Sequence, residues 1–200
     1  MEKERLAAFS DGVIAIIITI MVLELKPPHE PTFSALFALG PVLFSYVLSF
    51  AYVAIYWNNH HHLLHAADRV NGRILWANTH LLFWLSLIPF TTAWMAENHF
   101  APATVALYGF SLLMPAVAYY FLTLSLLKAH GPESLLARAL GAGVKEILSL
   151  ALYLIAVGLT LVDARFSLAI YVLVGLMWLV PDSRIERMID ETRGEPLDQR

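Results

Sequence analysis

One acidic residue, Asp11, stands at the head of the most apolar stretch of the chain. The residues from Gly12 to Leu23 read GVIAIIITIMVL, and Thr19 carries the one polar side chain among them. An ionisable group at membrane depth costs roughly 2.5–3.5 kcal/mol on insertion scales unless it is paired or hydrated. Asp11 is therefore expected to face protein or water, which makes it a candidate for a functional site.

Helical geometry divides this stretch into two faces. Five residues fall close to one line along the helix at about 100° per residue: Gly12, Ile16, Thr19, Ile20 and Leu23. Asp11 lies about 140° away from Ile16, so it does not share their face. The stripe could line a passage while the opposite face attaches the helix to its neighbours. The same pattern is typical of a lipid-facing or packed surface, and an Asp at a helix start is often an N-cap, so spacing alone leaves both interpretations open.

Histidines form a second group with potential chemistry. His60, His61, His62 and His65 stand together, and helical spacing places His65 on one face with His61 and with His62. A metal site in a membrane needs further histidine motifs or acidic ligands, and the other histidines are isolated. We therefore expect these histidines to be solvated at the membrane interface. The second alternative is a pH response through their titration near neutrality. We expect no metal or other cofactor.

Membrane-spanning helices must position these residues. The chain is 58% apolar and 14% charged, whereas soluble domains carry about 25% charged residues. Six stretches approach the roughly 20 residues that a span needs: Leu6–Leu25, Phe33–Asn58, Ile74–Met95, Ala101–Leu127, Val144–Val162 and Phe166–Val180. We expect an all-α membrane protein with one domain over residues 1–190, which includes a surface helix at Asp182–Asp190, and a flexible tail at 191–200. The absence of cysteine excludes disulfides and thiolate sites.

Basic residues indicate the orientation of these spans. All but two of the 13 Lys and Arg residues lie at the termini or in the second–third and fourth–fifth connections. By the positive-inside rule both termini are then cytoplasmic, which agrees with an even number of spans. This distribution predicts a multi-pass protein of the cell (plasma) membrane. The net charge of −3 gives no indication of nucleic-acid binding.

Several motifs between residues 5 and 95 resemble those of a known family. The string Arg5-x-x-x-Phe9-Ser10-Asp11 resembles the signature of the endosomal/lysosomal potassium channel family (transmembrane protein 175) and its bacterial relatives. Trp57-x-x-His60-His61-x-Leu63 is similar to the family's element at the end of the second span. Asn78, followed by Leu87-x-Pro89-Phe90-x-Thr92, is similar to its third span.

This resemblance implies a potassium channel and not an enzyme. It implies six-span subunits that form a homotetramer in the lipid bilayer, with the first helix lining a central pore that conducts K⁺ passively, as a leak channel does. It places a hydrophobic constriction, which could act as a gate by dewetting, at Ile16, with further pore-facing positions at Thr19, Ile20 and Leu23. Because hydroxyls are weak-field ligands, we expect modest selectivity for potassium over sodium.

The opposite face of the first helix is expected to hold a structural polar network. The ends of spans two and three emerge on the same side as Asp11, which makes them its nearest source of partners. The network is predicted to contain four residues of the first helix and four from those two spans: Arg5, Phe9, Ser10, Asp11, Trp57, His60, His61 and Asn78.

Two alternatives remain open at this level. A secondary transporter would use broken helices, for which Pro89 and Pro115 are the candidates, although no matching half-repeat is visible. A membrane metalloenzyme would use the cluster His60–His65. Gly158 is expected to serve helix packing.

Overall fold

Every regular element of the structure is a helix. The computed structural model describes residues 3–131, 134, 136–137 and 143–179, and these ranges contain no strand. The helices are α1 (Lys3–Leu23), α2 (Phe33–Ala38), α3 (Gly40–His65), α4 (Gly72–Ser86), α5 (Ile88–Glu97), α6 (Pro102–His130), α7 (Val144–Leu159) and α8 (Ala164–Leu179). The predicted surface helix Asp182–Asp190 and the predicted tail 191–200 lie outside the described residues.

Each predicted span coincides with one helix or with two consecutive helices. Among the described residues, four helical stretches are long and apolar enough to cross a membrane: Lys3–Leu23, Gly40–His65, Gly72–Glu97 and Pro102–His130. Helices α7 and α8 have 16 residues each, which is short of the roughly 20 that a perpendicular crossing needs. The apolar helical fold is thus confirmed, and the count of six spans stays a prediction.

Prolines mark two breaks in the helical order. Helix α3 begins at Gly40 with Pro41 in its first turn, and α5 begins at Ile88 with Pro89 in its first turn. Proline lacks the backbone N–H that a helix interior requires but is tolerated in a first turn. Pro115, in contrast, lies inside α6, which continues through it. Of the two candidate breaks, the structure has the one at Pro89.

Side-chain caps and left-handed glycines define several other helix ends. The Thr32 hydroxyl accepts the Ala35 N–H at 3.2 Å at the start of α2, and the Asn71 carbonyl oxygen accepts the Ile74 N–H at 3.0 Å at the start of α4. Helix α6 ends at Gly131, whose φ of 83° is costly for residues with a Cβ.

Helices α3 and α6 contribute to both apolar cores of the molecule. The first core joins them to α1 and α4, and the second joins them to α5, α7 and α8. Helix α1 packs mainly against α3, α4 and α5. It therefore lies at one edge of the helical bundle, away from α7 and α8.

Candidate functional site

Helix α1 has one buried and one uncovered face. Its buried residues recur every three or four positions: Leu6, Ser10, Ile14, Ile17 and Met21. The other face exposes the predicted line of Ile16, Thr19, Ile20 and Leu23, which is named the exposed stripe below. In the single chain the exposed fractions are 58% for Ile16, 42% for Ile20 and 76% for Leu23. The division into two faces agrees with the helical spacing.

Thr19 is the polar member of the exposed stripe. Its hydroxyl donates a hydrogen bond to the carbonyl oxygen of Ile16 at 2.9 Å. The proton is therefore directed toward the helix backbone, and the lone pairs of the same oxygen point elsewhere. This geometry suits an oxygen that accepts a hydrogen bond or contacts a cation.

A chain of buried side chains ties α1 to α3 and α4. The Asn78 side-chain nitrogen donates to the Ser10 hydroxyl oxygen at 2.9 Å, and the Ser10 hydroxyl donates to the Leu6 carbonyl oxygen at 2.9 Å. The Asn78 side-chain oxygen lies 2.6 Å from Nε2 of His60. Because this oxygen can only accept, His60 carries its proton on Nε2. The chain therefore runs from α3 through α4 to the backbone of α1.

Asp11 makes a separate contact closer to the surface. The indole Nε1–H of Trp57 donates to Oδ1 of Asp11 at 2.9 Å. The ring of His61 lies 6.0 Å from the Trp57 ring and 6.2 Å from the ring of His65, measured between centroids. A carboxylate that accepts an indole N–H makes a charge-assisted hydrogen bond, which is stronger than a neutral one.

The residues of the predicted network thus form two separate groups: the hydrogen-bonded chain through Asn78 and the bond between Trp57 and Asp11. Some of the predicted residues belong to neither group. Arg5 and Phe9 are exposed, and neither makes a hydrogen bond or ring contact with the residues that the structure describes. His61 contacts Trp57 through its ring and makes no hydrogen bond to Asp11. Arg5 and Phe9 thus make no contact in the described part of the single chain that would place them in the network. Their predicted role stays a prediction.

Lys3 adds a link that the sequence did not single out. Its ammonium group donates to the carbonyl oxygens of Ala67 at 2.9 Å and of His65 at 3.3 Å. These carbonyls lie at and just beyond the C-terminal end of α3, where a cation is favoured by the helix dipole. The sequence does show a Lys in the first turn of α1. It does not show the partner of this Lys, because the partner depends on which other helix ends beside α1.

The histidine cluster does not assemble a set of metal ligands in the described ranges, where no group of three or more His, Asp or Glu side chains could hold an ion. His60 points to Asn78 and is 1% exposed. His61, His62 and His65 are engaged with one another through their rings.

These features define an all-helical membrane protein whose first helix is hydrogen-bonded on one face and uncovered along an apolar stripe on the other. The family model for the endosomal/lysosomal potassium channel TMEM175 matches residues 5–89. A potassium channel of Chryseobacterium sp. (strain P1-3) is 48% identical over 191 residues, covering 96% of this chain and 100% of that protein. The chain belongs to the TMEM175 family.

Two comparisons with Chamaesiphon minutus extend the similarity. A potassium channel of that organism is 35% identical over 127 residues, which cover 60% of this chain and 63% of that protein. The crystal structure of a lysosomal potassium-selective channel TMEM175 homolog from Chamaesiphon minutus matches with a TM-score of 0.77 and 26% identity. The match covers 90% of this chain and 98% of that one. These relatives are named as channels, so the family is not one of enzymes.

Proposed function

We propose that this chain is the subunit of a potassium channel in which α1 lines a central pore. The named relatives are potassium channels, and the similar solved structure is potassium-selective. The observation that carries the assignment of the pore is the exposed stripe. Ile16, Thr19 and Leu23 remain uncovered in the subunit, although the same helix is held by hydrogen bonds on its other face.

The proposed pore requires several copies of the chain. One α1 helix per subunit cannot enclose a channel, whereas four copies around an axis place four identical stripes face to face. The proposal therefore includes a homotetramer in the cell membrane, with six spans per subunit and both termini in the cytoplasm.

Ile16 would form the constriction of this pore. Four isoleucine side chains around an axis make a narrow apolar neck, in which a continuous column of water is unfavourable and an ion would lose its hydration. A small widening restores hydration and conduction. Thr19 lies one turn away and would offer four hydroxyl oxygens, whose weak field favours the cation that dehydrates more easily, K⁺ over Na⁺.

The hydrogen bonds on the opposite face would hold the stripe in register with the axis. A rotation of α1 would have to break the bond between Ser10 and Asn78, and also the bond between Asp11 and Trp57. Because these bonds lie on the subunit side, they stabilise the pore helix without placing a fixed charge beside the constriction.

Recording from the purified chain in a lipid bilayer tests the proposal. We expect single-channel currents with a reversal potential that follows the potassium gradient. Ile16→Ala should raise the unitary conductance several-fold because it widens the apolar neck. Ile17→Ala is the matched control: it removes the same atoms from a side chain that is 3% exposed, so it should lower stability and leave the unitary conductance unchanged.

Three outcomes would count against the proposal. Correctly assembled protein without potassium current would overturn the channel function, and slow, saturable, coupled flux would show a secondary transporter instead. A larger change in conductance from Ile17→Ala than from Ile16→Ala would overturn the assignment of the pore face.

The contribution of Thr19 has its own test. Thr19→Ala removes the hydroxyl oxygen and should lower the permeability ratio of potassium to sodium in the same bilayer recording. An unchanged ratio would contradict a role for Thr19 in selectivity, and the proposed constriction at Ile16 would be unaffected by that result.

A further inference from the structure

A cavity lies away from α1, between α3, α6, α7 and α8. It is partly open to the outside. Half of the residues that line it are aromatic: Tyr52, Tyr56, Tyr119, Tyr153 and Trp178. Neither the exposed stripe nor the hydrogen bonds of α1 contribute to it. The proposed conduction pathway therefore does not account for this cavity.

One carboxylate lines this aromatic cavity. Glu146, in the first turn of α7, is partly buried there. With the described residues it makes neither a hydrogen bond nor an ion pair, although it lies close enough to Tyr119 for an electrostatic interaction. The neighbouring Lys145 directs its ammonium toward Trp178, 5.9 Å from the ring centroid. The Trp178 ring thus already has a cation of the chain beside it, and Glu146 makes no ion pair with the described part of the chain.

Most polar atoms around Glu146 already have partners within the protein. The Tyr119 hydroxyl donates to the Asn59 carbonyl oxygen at 3.2 Å, and the Trp178 Nε1–H donates to the Ser149 hydroxyl at 2.8 Å. Few donors therefore remain for an anion or a sugar. The cavity offers aromatic faces and one negative charge.

We propose that this cavity binds a small organic cation of the quaternary ammonium class. Aromatic faces attract cations through the ring quadrupole, and such a site is favourable when the cation is removed from water. A quaternary ammonium has no N–H group to satisfy, so it suits walls in which several hydroxyls, such as those of Tyr52 and Tyr119, are already bonded to backbone carbonyls. The carboxylate of Glu146 supplies the countercharge. The same chemistry occurs in a soluble amine and in the choline headgroup of a lipid.

Calorimetric titration of the purified full chain with tetramethylammonium chloride tests this site. We expect binding to the wild type, and at least about tenfold weaker binding to Glu146→Gln, which removes the charge but keeps the shape. Glu30→Gln makes the same change at an exposed residue outside the cavity and should leave the affinity unchanged. The neutral isostere neopentane carries no charge and should show at least about tenfold weaker binding to the wild type.

A second cavity variant shows whether weaker binding to Glu146→Gln results from misfolding. Ala116 lines the cavity, so Ala116→Leu should remove binding by filling space while leaving the charge of Glu146 in place. Equal elution volumes and melting temperatures would show that the variants are folded. Undetectable binding to the wild type at millimolar tetramethylammonium would overturn the proposal, and so would unchanged binding in both cavity variants. The titration does not depend on conduction, so its failure is distinguishable from failure of the channel function.

Nanodiscs of two compositions distinguish the two sources of the cation. If the natural ligand is a choline headgroup, tetramethylammonium should bind more weakly in phosphatidylcholine than in phosphatidylglycerol nanodiscs, because the lipid competes. Equal affinity in both would assign the site to a soluble quaternary amine.

Discussion

Asn78 connects three helices through one side chain. It is fully buried on α4, donates to Ser10 on α1 and lies 2.6 Å from the ring nitrogen of His60 on α3. A carboxamide presents a donor and an acceptor together, which an apolar residue of similar size does not. The relative positions of the three helices therefore depend on this side chain.

Replacing Asn78 with leucine should lower the free energy of unfolding by about 2–3 kcal/mol. The variant leaves His60 buried without its acceptor, whereas Ser10 keeps its bond to the Leu6 carbonyl oxygen. Thermal or SDS-induced unfolding of the purified protein measures the change. Thr79→Val, at the exposed neighbouring position, is the control and should stay within about 0.5 kcal/mol of the wild type.

A double variant separates the hydrogen bond from loss of packing. Asn78→Leu combined with His60→Leu leaves no unpaired polar group at this place, so about half of the lost stability should return. A loss in Asn78→Leu no larger than that in Thr79→Val would show that the buried chain does not stabilise the fold.

Residue types predicted the participants of these contacts but not their pairing. Trp57, His60, His61 and Asn78 were expected as partners of Arg5, Ser10 and Asp11. Among the described residues Trp57 donates to Asp11, whereas His60 and Asn78 form the chain to Ser10. The pairing depends on how far α3 and α4 are rotated relative to α1. That rotation results from the packing of whole helix faces, which the spacing of a few polar residues does not determine.

At the scale of elements, the Tyr171 side chain of α8 fills the space beside Gly109 of α6. A Cβ at this position would overlap the phenol ring of Tyr171. Tyr171 is fully buried, and its hydroxyl donates to the Val105 carbonyl oxygen at 3.3 Å, one turn before Gly109. The ring cannot move away without breaking this bond and displacing the second core.

Gly109→Ala should therefore destabilise the protein by at least about 2 kcal/mol, the range of overpacked cores. The matched control is Gly158→Ala on α7, where an added Cβ meets nothing within 4 Å. That change should be neutral or stabilise by up to about 1 kcal/mol, because alanine favours a helix over glycine. Unfolding transitions of the two variants provide the comparison, and equal midpoints would contradict close packing at Gly109.

The apolar pattern predicted the helices well and their contacts less well. All six apolar stretches are helical, and Pro89 begins a new helix as a missing N–H requires. Gly158, predicted to serve helix packing, makes no close helix contact within the described part of the chain, where that position faces open space. Gly109, which the sequence did not distinguish, has that role. A glycine is needed where two helices approach, and the approach is a property of the tertiary arrangement.

At the scale of the whole molecule, the subunit leaves an apolar edge beside α1. The exposed stripe continues into a groove between α1 and α5, whose lining includes Val13, Ile20 and Phe90. Phe90 is 63% exposed. Lipid suits the aromatic part of this edge. The exposed stripe is less suited to lipid, because it is narrow, contains the polar Thr19 and follows the exposed Gly12. In the proposed tetramer this edge faces other copies of the chain.

Single cysteines on α1 provide a direct test of that assembly, because the natural chain has none. A disulfide needs Cα atoms roughly 4.4–6.8 Å apart, and in a pore of four α1 helices only side chains that face the axis bring equivalent positions of different copies near this distance. Leu23→Cys, in the exposed stripe, should give crosslinked dimers when membranes are oxidised. Met21→Cys is the control, since Met21 is 2% exposed and faces α1's own subunit. Crosslinking at position 21 without crosslinking at position 23 would place the opposite face of α1 on the axis. A lack of crosslinks at both positions, together with a monomeric mass in native mass spectrometry, would exclude the tetramer itself.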